Sequence, residues 1–352
     1  MKAVIEPQSI CLVRLSALGD VTHVLPVLHA LKQRYPRAQI SWLIGKLEAK
    51  LLKSVPGVEW IIVDRKQPWS EWRRLRREFA GRRFDVLLQM QLALRAGFIA
   101  SALRAKRRIG YPRFMHKELH GCFVRETAPP PQGSHVVDVL LAFARALDCE
   151  VSEPVWDLPV PEEAHGLRLR EIGERAYALI SPCSSFEARN WLPERYARVA
   201  EALSQRGLLP VVVGGRSDSE RAMAQAIGNA SASPVLDLVG KDTLPELLAL
   251  IQRARVLISP DSGPIHFANA LGTPALGLYA ATDATRSGPY HDRAFAINRY
   301  ADAARVFLGL EPAQLAWGKK IHRDGVMALI EVQEVIAALD RLLRDRTSTV
   351  MT

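Results

Sequence analysis

Cysteine is scarce in this chain and widely dispersed. Cys11, Cys122, Cys149 and Cys183 are the only four, no two are spaced C-x-x-C, and none joins a His/Cys cluster. That excludes the usual zinc spacings and a disulfide framework, and it fits reduced thiols in a reducing compartment. Long apolar runs are missing as well. No stretch approaches ~18 consecutive apolar residues, so no spanning helix is expected. At the N-terminus, Glu6 and Pro7 interrupt MKAVIEPQSI before a signal-peptide core forms, and a cytoplasmic location is expected. The turn after the first apolar run lacks G-x-G-x-x-G, so the dinucleotide fingerprint of a nicotinamide-dependent reductase is absent where it belongs. Neither a Ser-His-Asp arrangement nor a metal cluster is evident. Acidic residues are outnumbered, 37 against 47 Lys and Arg, for a net charge of +10. This balance favours an acidic partner: nucleic acid, an anionic membrane surface or a phosphorylated substrate.

What is present is a long α/β rhythm. The 352 residues exceed one ordinary core, and the 48% hydrophobic content is that of a globular protein, so two domains are expected. The organising stretch is Val256 to Asp283. Val256-Leu257-Ile258 reads as a buried strand and Asp261-Ser262-Gly263-Pro264 as a helix start. Gly272 and Pro274 stop the helix, and Ala275 to Tyr279 is the next strand. A polar helix N-terminus at the carboxyl end of a strand attracts anions. The alternative is that Asp261 or Ser262 merely caps the helix.

The N-terminal half shows the same rhythm. Ile10 to Leu15, Gln39 to Ile44, Trp60 to Val63 and Phe84 to Leu88 read as strands. Ser16 to Asp20 is a loop, followed by helical spacing through Val21, Val24, Leu25, Leu28 and Leu31. Asp20 is either a helix N-cap, which the local sequence favours, or a carboxylate placed as a general base. Basic clusters fill residues 65–125: Arg73, Arg74, Arg76 and Arg77 around a helix whose apolar face is Trp72, Leu75 and Phe79, then 103–111 with Arg107 and Arg108. A solvated face is the bland account of such clusters. A site for acidic groups or for anionic lipid headgroups is the sharper one. No nucleic-acid-binding motif accompanies the charge, so nucleic acid is not expected.

Prolines at 154, 159 and 161 mark a linker. The expected organisation is a first domain over 1–165, a second over 166–325, and a C-terminal helix within 326–352 packing back on the first domain. In the second half, Ser181 to Ser185, Gly214-Gly215 and Asp261 to Gly263 are strand-end loops. Thr243 to Glu246 is a capping box beside Lys241. Two such domains suggest a cleft holding two substrates. An activated diphosphate donor would lie on the second domain, with Arg189 and the serines stabilising negative charge, and Asp20 would take a proton from an acceptor hydroxyl.

These residues resemble a known family. The run Arg14 to Pro26, RLSALGDVTHVLP, is similar to the N-terminal signature of the lipopolysaccharide heptosyltransferases, glycosyltransferase family 9. Asp261-Ser262-Gly263-Pro264-Ile265-His266 is similar to the second signature, Asp-(Ser/Thr)-Gly-x-x-His. The N-terminal signature looks closest to the first heptosyltransferase, which acts on Kdo-lipid A. The resemblance implies a GT-B fold of two Rossmann-like domains facing across a cleft. It also implies inverting transfer of heptose from ADP-heptose to the lipopolysaccharide inner core, at the cytoplasmic face of the inner membrane of a Gram-negative bacterium, with no cofactor or metal ascribed. The general base would be Asp20. Donor contacts would be Ser184, Ser185, Arg189, Gly214, Lys241, Asp261, Ser262, Gly263 and His266. Acceptor contacts would be Ser16, Gly19, His23, Arg95, Arg107 and Arg108. The chain departs from the family pattern at Gln89-Met90-Gln91-Leu92, at Ala280-Ala281, and at Arg189, where the family carries lysine. The alternatives are a family 9 transferase using another nucleotide sugar or acceptor, and a relative without catalysis.

Overall fold

The structure, a computed structural model, describes residues 6–350. The first five residues of the N-terminal stretch read above for a signal peptide lie outside them. The chain forms two compact units, Met1–Pro159 and Val160–Thr352.

The first unit runs β1 (Ser9–Val13), α1 (Leu25–Arg34), β2 (Gln39–Gly45), α2 (Lys46–Leu51), β3 (Glu59–Val63), α3 (Pro68–Glu78), β4 (Arg83–Gln89), α4 (Leu94–Ala100), β5 (Arg104–Gly110), β6 (Glu126–Thr127) and α5 (Val136–Arg145). Its sheet has the order β3-β2-β1-β4-β5-β6, and every pairing is parallel. Strands covered on both faces read as unbroken apolar runs, and Ile10, Cys11, Leu12 and Val13 are fully buried. The order reverses between β1 and β4. That switch point is where open α/β sheets leave a crevice beyond the strand ends. The stretch 103–111 read as a charge cluster, yet Arg104–Gly110 is a strand. It pairs along its length with β4 but over only two residues with β6, and Arg104, Lys106 and Arg107 are exposed while Arg108 is half-buried.

The second unit repeats the plan: α6 (Gly166–Glu171), β7 (Tyr177–Ile180), α7 (Pro193–Gln205), β8 (Leu209–Val212), α8 (Asp218–Ala230), β9 (Leu236–Asp237), α9 (Leu244–Arg253), β10 (Leu257–Pro260), α10 (Gly263–Leu271), β11 (Ala275–Tyr279), α11 (Ala284–Ser287), β12 (Ile297–Asn298), α12 (Tyr300–Leu308) and α13 (Val332–Val350). The sheet order is β12-β11-β10-β7-β8-β9, again wholly parallel. Its switch point lies between β7 and β10.

Two boundaries differ from the sequence reading. Residues from 160 onward belong to the second unit because the turn at Glu162–His165 and α6 pack on α9. The last helix was expected on the first domain. Its apolar stripe, Val335, Ala338, Leu339 and Leu342, is instead fully buried in the second unit's core with Trp191, Tyr196 and Leu203. Ion pairs reinforce that seat: Arg206 grips Asp340 at 2.7 and 2.8 Å, and Arg299 pairs with Glu334.

Candidate active site

In the first unit the site is built on the loop leaving β1 at the switch point. Arg14 keeps 11% of its side-chain exposure, and the two terminal nitrogens of its guanidinium meet three partners. Nη2 meets Asp20 Oδ2 at 2.8 Å, while Nη1 donates to Met90 O at 2.8 Å and reaches Tyr111 Oη at 3.5 Å. Burial works against its charge, but Asp20 and Tyr111 outweigh burial, and its pKa is raised. Asp20 Oδ2 also accepts from Ala17 N at 3.1 Å. The carboxylate therefore turns back onto its own loop. The N-cap reading fails: the short 3-10 turn Thr22–Val24 has Val21 at its cap, and no side chain caps it. The other oxygen, Oδ1, lies 4.0 Å from His23 Nδ1, and the Asp20 side chain keeps 39% of its exposure. A carboxylate fixed through one oxygen and still reached by solvent suits proton abstraction.

The loops around it interlock. Gln91, on the loop after β4, accepts from Leu15 N at 2.7 Å and donates to Ser16 Oγ at 3.1 Å. Gly19 O accepts the Thr22 hydroxyl at 2.7 Å. His23 is buried edge-on against His135, which caps α5. Tyr111 donates to Met90 O at 2.9 Å, and its amide donates to His120 Nε2 at 3.2 Å. Burial, then His116, pushes the His120 pKa down to about 4, which keeps that ring a neutral acceptor. The three arginines expected near the acceptor each hold a different partner. Arg95 donates to Arg65 O at 3.2 Å. Arg107 forks onto Glu126 at 2.7–3.1 Å. Arg108 donates to Ala100 O and Leu103 O at the end of α4.

In the second unit the loops after β7 and β10 meet at the switch point. Ser262 holds the N-cap position of α10, yet its side chain caps nothing. Its hydroxyl instead meets Ser259 Oγ at 2.7 Å, and Ser259 also pairs with Ser181 O at 2.9 Å. The first-turn amides of α10 are thus left without a side-chain cap, at the positive end of the helix dipole. Asp261 is 7% exposed. Its carboxylate is 3.4 Å from Arg189 Nη1 and 3.7 Å from His266 Nε2, and its carbonyl accepts from Arg189 at 3.2 Å. Arg189 is 8% exposed, and its Nε has no partner. A buried guanidinium N–H in that state is costly unless a ligand accepts from it. Asn190 Oδ1 orients the serine loop by accepting from Ser184 N at 2.7 Å, and Ser185 is exposed. Gly214 O accepts from Gly240 N at 3.0 Å, so the loops after β8 and β9 form one ledge. Lys241 turns to its own backbone, donating to Asp237 O at 2.6 Å. Among the described residues no cluster of His, Cys, Asp and Glu suits a metal ion.

Comparison with known proteins decides the family. The model of glycosyltransferase family 9 (heptosyltransferase) matches residues 72–306. The chain is 33% identical over 337 residues to the lipopolysaccharide core heptosyltransferase OpsX of Haemophilus influenzae, covering 96% of this chain and 97% of that one. It belongs to glycosyltransferase family 9.

Solved structures agree on the fold. A family 9 glycosyl transferase from Veillonella parvula superposes with a TM-score of 0.77 at 21% identity, over 97% of this chain and 98% of that one. The E. coli heptosyltransferase WaaC with ADP superposes with a TM-score of 0.67 at 19% identity, over 82% and 92%. The two α/β units of this family 9 glycosyltransferase are those of the GT-B class. Both signature motifs fall at switch points. Tyr111, Asn190 and Ser259 went unremarked as site residues in the sequence, because they act by bracing other residues, and Gln91 was noted there only within a departure from the family pattern.

Proposed function

We propose that this glycosyltransferase moves heptose from ADP-heptose onto an acidic, lipid-linked acceptor of the Kdo-lipid A type in the lipopolysaccharide inner core. The reaction is direct displacement with inversion. Asp20 takes the proton of the acceptor hydroxyl as its oxygen attacks the anomeric carbon. The uncapped start of α10, Ser184, Ser185 and Arg189 hold the diphosphate that leaves as ADP. Asp261, fixed by Arg189 and His266, orients the donor sugar. The observation that carries this reading is the Asp20–Arg14 pair at 2.8 Å, which holds one oxygen of a carboxylate that stays partly exposed. The printed functions of the relatives support the donor and acceptor classes.

The same reading gives the basic face of the first unit a partner. On α3 only Leu75 is buried, and Arg73, Arg76 and Arg77 are exposed. Trp69 is 66% exposed and packs edge-on against Phe98 at 4.6 Å. Arginines around an exposed tryptophan suit the anionic inner leaflet where a lipid-linked acceptor resides.

The test is transfer with ADP-heptose and a delipidated Kdo acceptor. Asp20→Ala is expected to lower kcat by about 100-fold or more, the usual scale of a lost general base, while ADP binds as before. Wild-type turnover in the variant would end the mechanism. Turnover by wild type only with GDP- or UDP-sugars would move the enzyme to another donor.

A further inference from the structure

The loop between α12 and α13 carries no signature, yet it reaches the serine loop of the second unit. Ile321 is its anchor. The side chain is 1% exposed within the core, and its amide donates to Ala281 O at 2.8 Å, just past the carboxyl end of β11. Tyr300 Oη donates to Lys319 O at 2.8 Å, and Arg286 lies 4.5 Å over the Trp317 ring. With Ile321 turned inward, its neighbours on either side turn outward together. Both reach one ring, Phe186, which follows Ser184-Ser185 and is 46% exposed. His322 stacks on that ring at 4.9 Å and 29°, and Lys320 Nζ stands 5.1 Å from its centroid. Arg189 Cζ is 4.8 Å from the same centroid.

Three basic groups thus gather round one phenyl ring. The Arg189 and Lys320 cations gain from the ring face but repel one another, and both oppose a charge on His322. Burial, then Arg189 and Lys320, lowers the His322 pKa. A crowd of like charge is relieved when an anion enters it. The partnerless, buried Nε of Arg189 points to the same need.

We propose that Lys320 and His322 complete the diphosphate site of the nucleotide donor, binding its phosphate oxygens together with Arg189. This rests on the donor reading given above for the second unit. It adds a segment, residues 317–323, that neither signature motif contains.

The test is calorimetry on the full chain with ADP, inorganic pyrophosphate and adenosine. Lys320→Gln, His322→Gln, the double variant and Lys320→Arg are compared with wild type. Both side chains are exposed, and unchanged melting confirms the folds. Each Gln variant is expected to weaken ADP and pyrophosphate about tenfold, the scale of one charge-assisted hydrogen bond. Adenosine binding should not change, and Lys320→Arg should restore most of the loss. In turnover the donor KM rises and the acceptor KM does not. ADP and pyrophosphate binding as tight as wild type would overturn the proposal, as would an equal loss for adenosine. If wild type binds pyrophosphate but not ADP, and the variants lose pyrophosphate, the nucleotide reading falls and this site stands. If wild type binds neither, both fall.

Discussion

Asp242 offers a measurement of what one buried carboxyl costs. It precedes the capping box of α9, and its Oδ2 is buried without a partner. Burial is the main cause that lifts its pKa from 3.8 to about 7. Its own amide pulls the other way, Glu246 and Glu220 add to the rise, and Arg216 opposes it. Between roughly pH 4 and pH 7 the folded chain therefore keeps a proton that the unfolded chain has lost. The sign follows: the native state binds more protons, so stability falls as pH rises through that window and stays low above it. A separation of about three in pKa corresponds to at most about 4 kcal/mol. Solvent reaches part of this side chain, so about 1–2 kcal/mol is the expected size. Asp242→Asn keeps the shape and removes the titration. Urea unfolding, followed by tryptophan fluorescence, should give near-equal stability for the two proteins below about pH 4. Near pH 8 the variant should be the more stable by that amount. Parallel pH dependence in both proteins would refute the reasoning.

Other consequences are as direct. Arg14→Lys keeps a charge but loses the fork that spans Asp20, Met90 O and Tyr111, so kcat is expected to fall about tenfold or more with ADP binding unchanged. Reversing the charge of Arg73, Arg76 and Arg77 should abolish binding to anionic vesicles at moderate salt, and flotation as strong as wild type would remove the membrane partner. Arg74 is left alone in that design because it is committed to Glu71, Glu78 and Ile62 O. Ser217→Ala breaks the capping box of α8, where Ser217 Oγ accepts from Glu220 N at 3.3 Å, and should cost about 1 kcal/mol in denaturant unfolding.

Much of the fold was legible in the sequence because its strands are buried on both faces. Ile10 to Leu15 and Gln39 to Ile44 read as strands from apolar runs alone, and the Thr243 helix start reads from its capping chemistry. Arg104 to Gly110 did not, since a strand with one thinly covered side keeps its arginines and loses the alternation that betrays it. The last helix was legible as a helix. Its partner was not, because an apolar stripe says that it must be covered and not by what. At the site, the two aspartates stood out through their motifs. That Ser262 would spend its hydroxyl on Ser259, and Lys241 its ammonium on Asp237 O, is decided by neighbours brought in through folding. Lys320 and His322 are hidden for the same reason, more than 130 positions along the chain from the ring they meet.

The shared strand order of the two sheets has a consequence for how such a molecule changes. One wiring diagram has been used twice, and what distinguishes the halves is confined to a few residues past the strand tips. At one tip a carboxylate is folded inward onto an arginine; at another a helix is left with bare amides. Chemistry can then be rewritten at either tip while the buried strands beneath remain as they were.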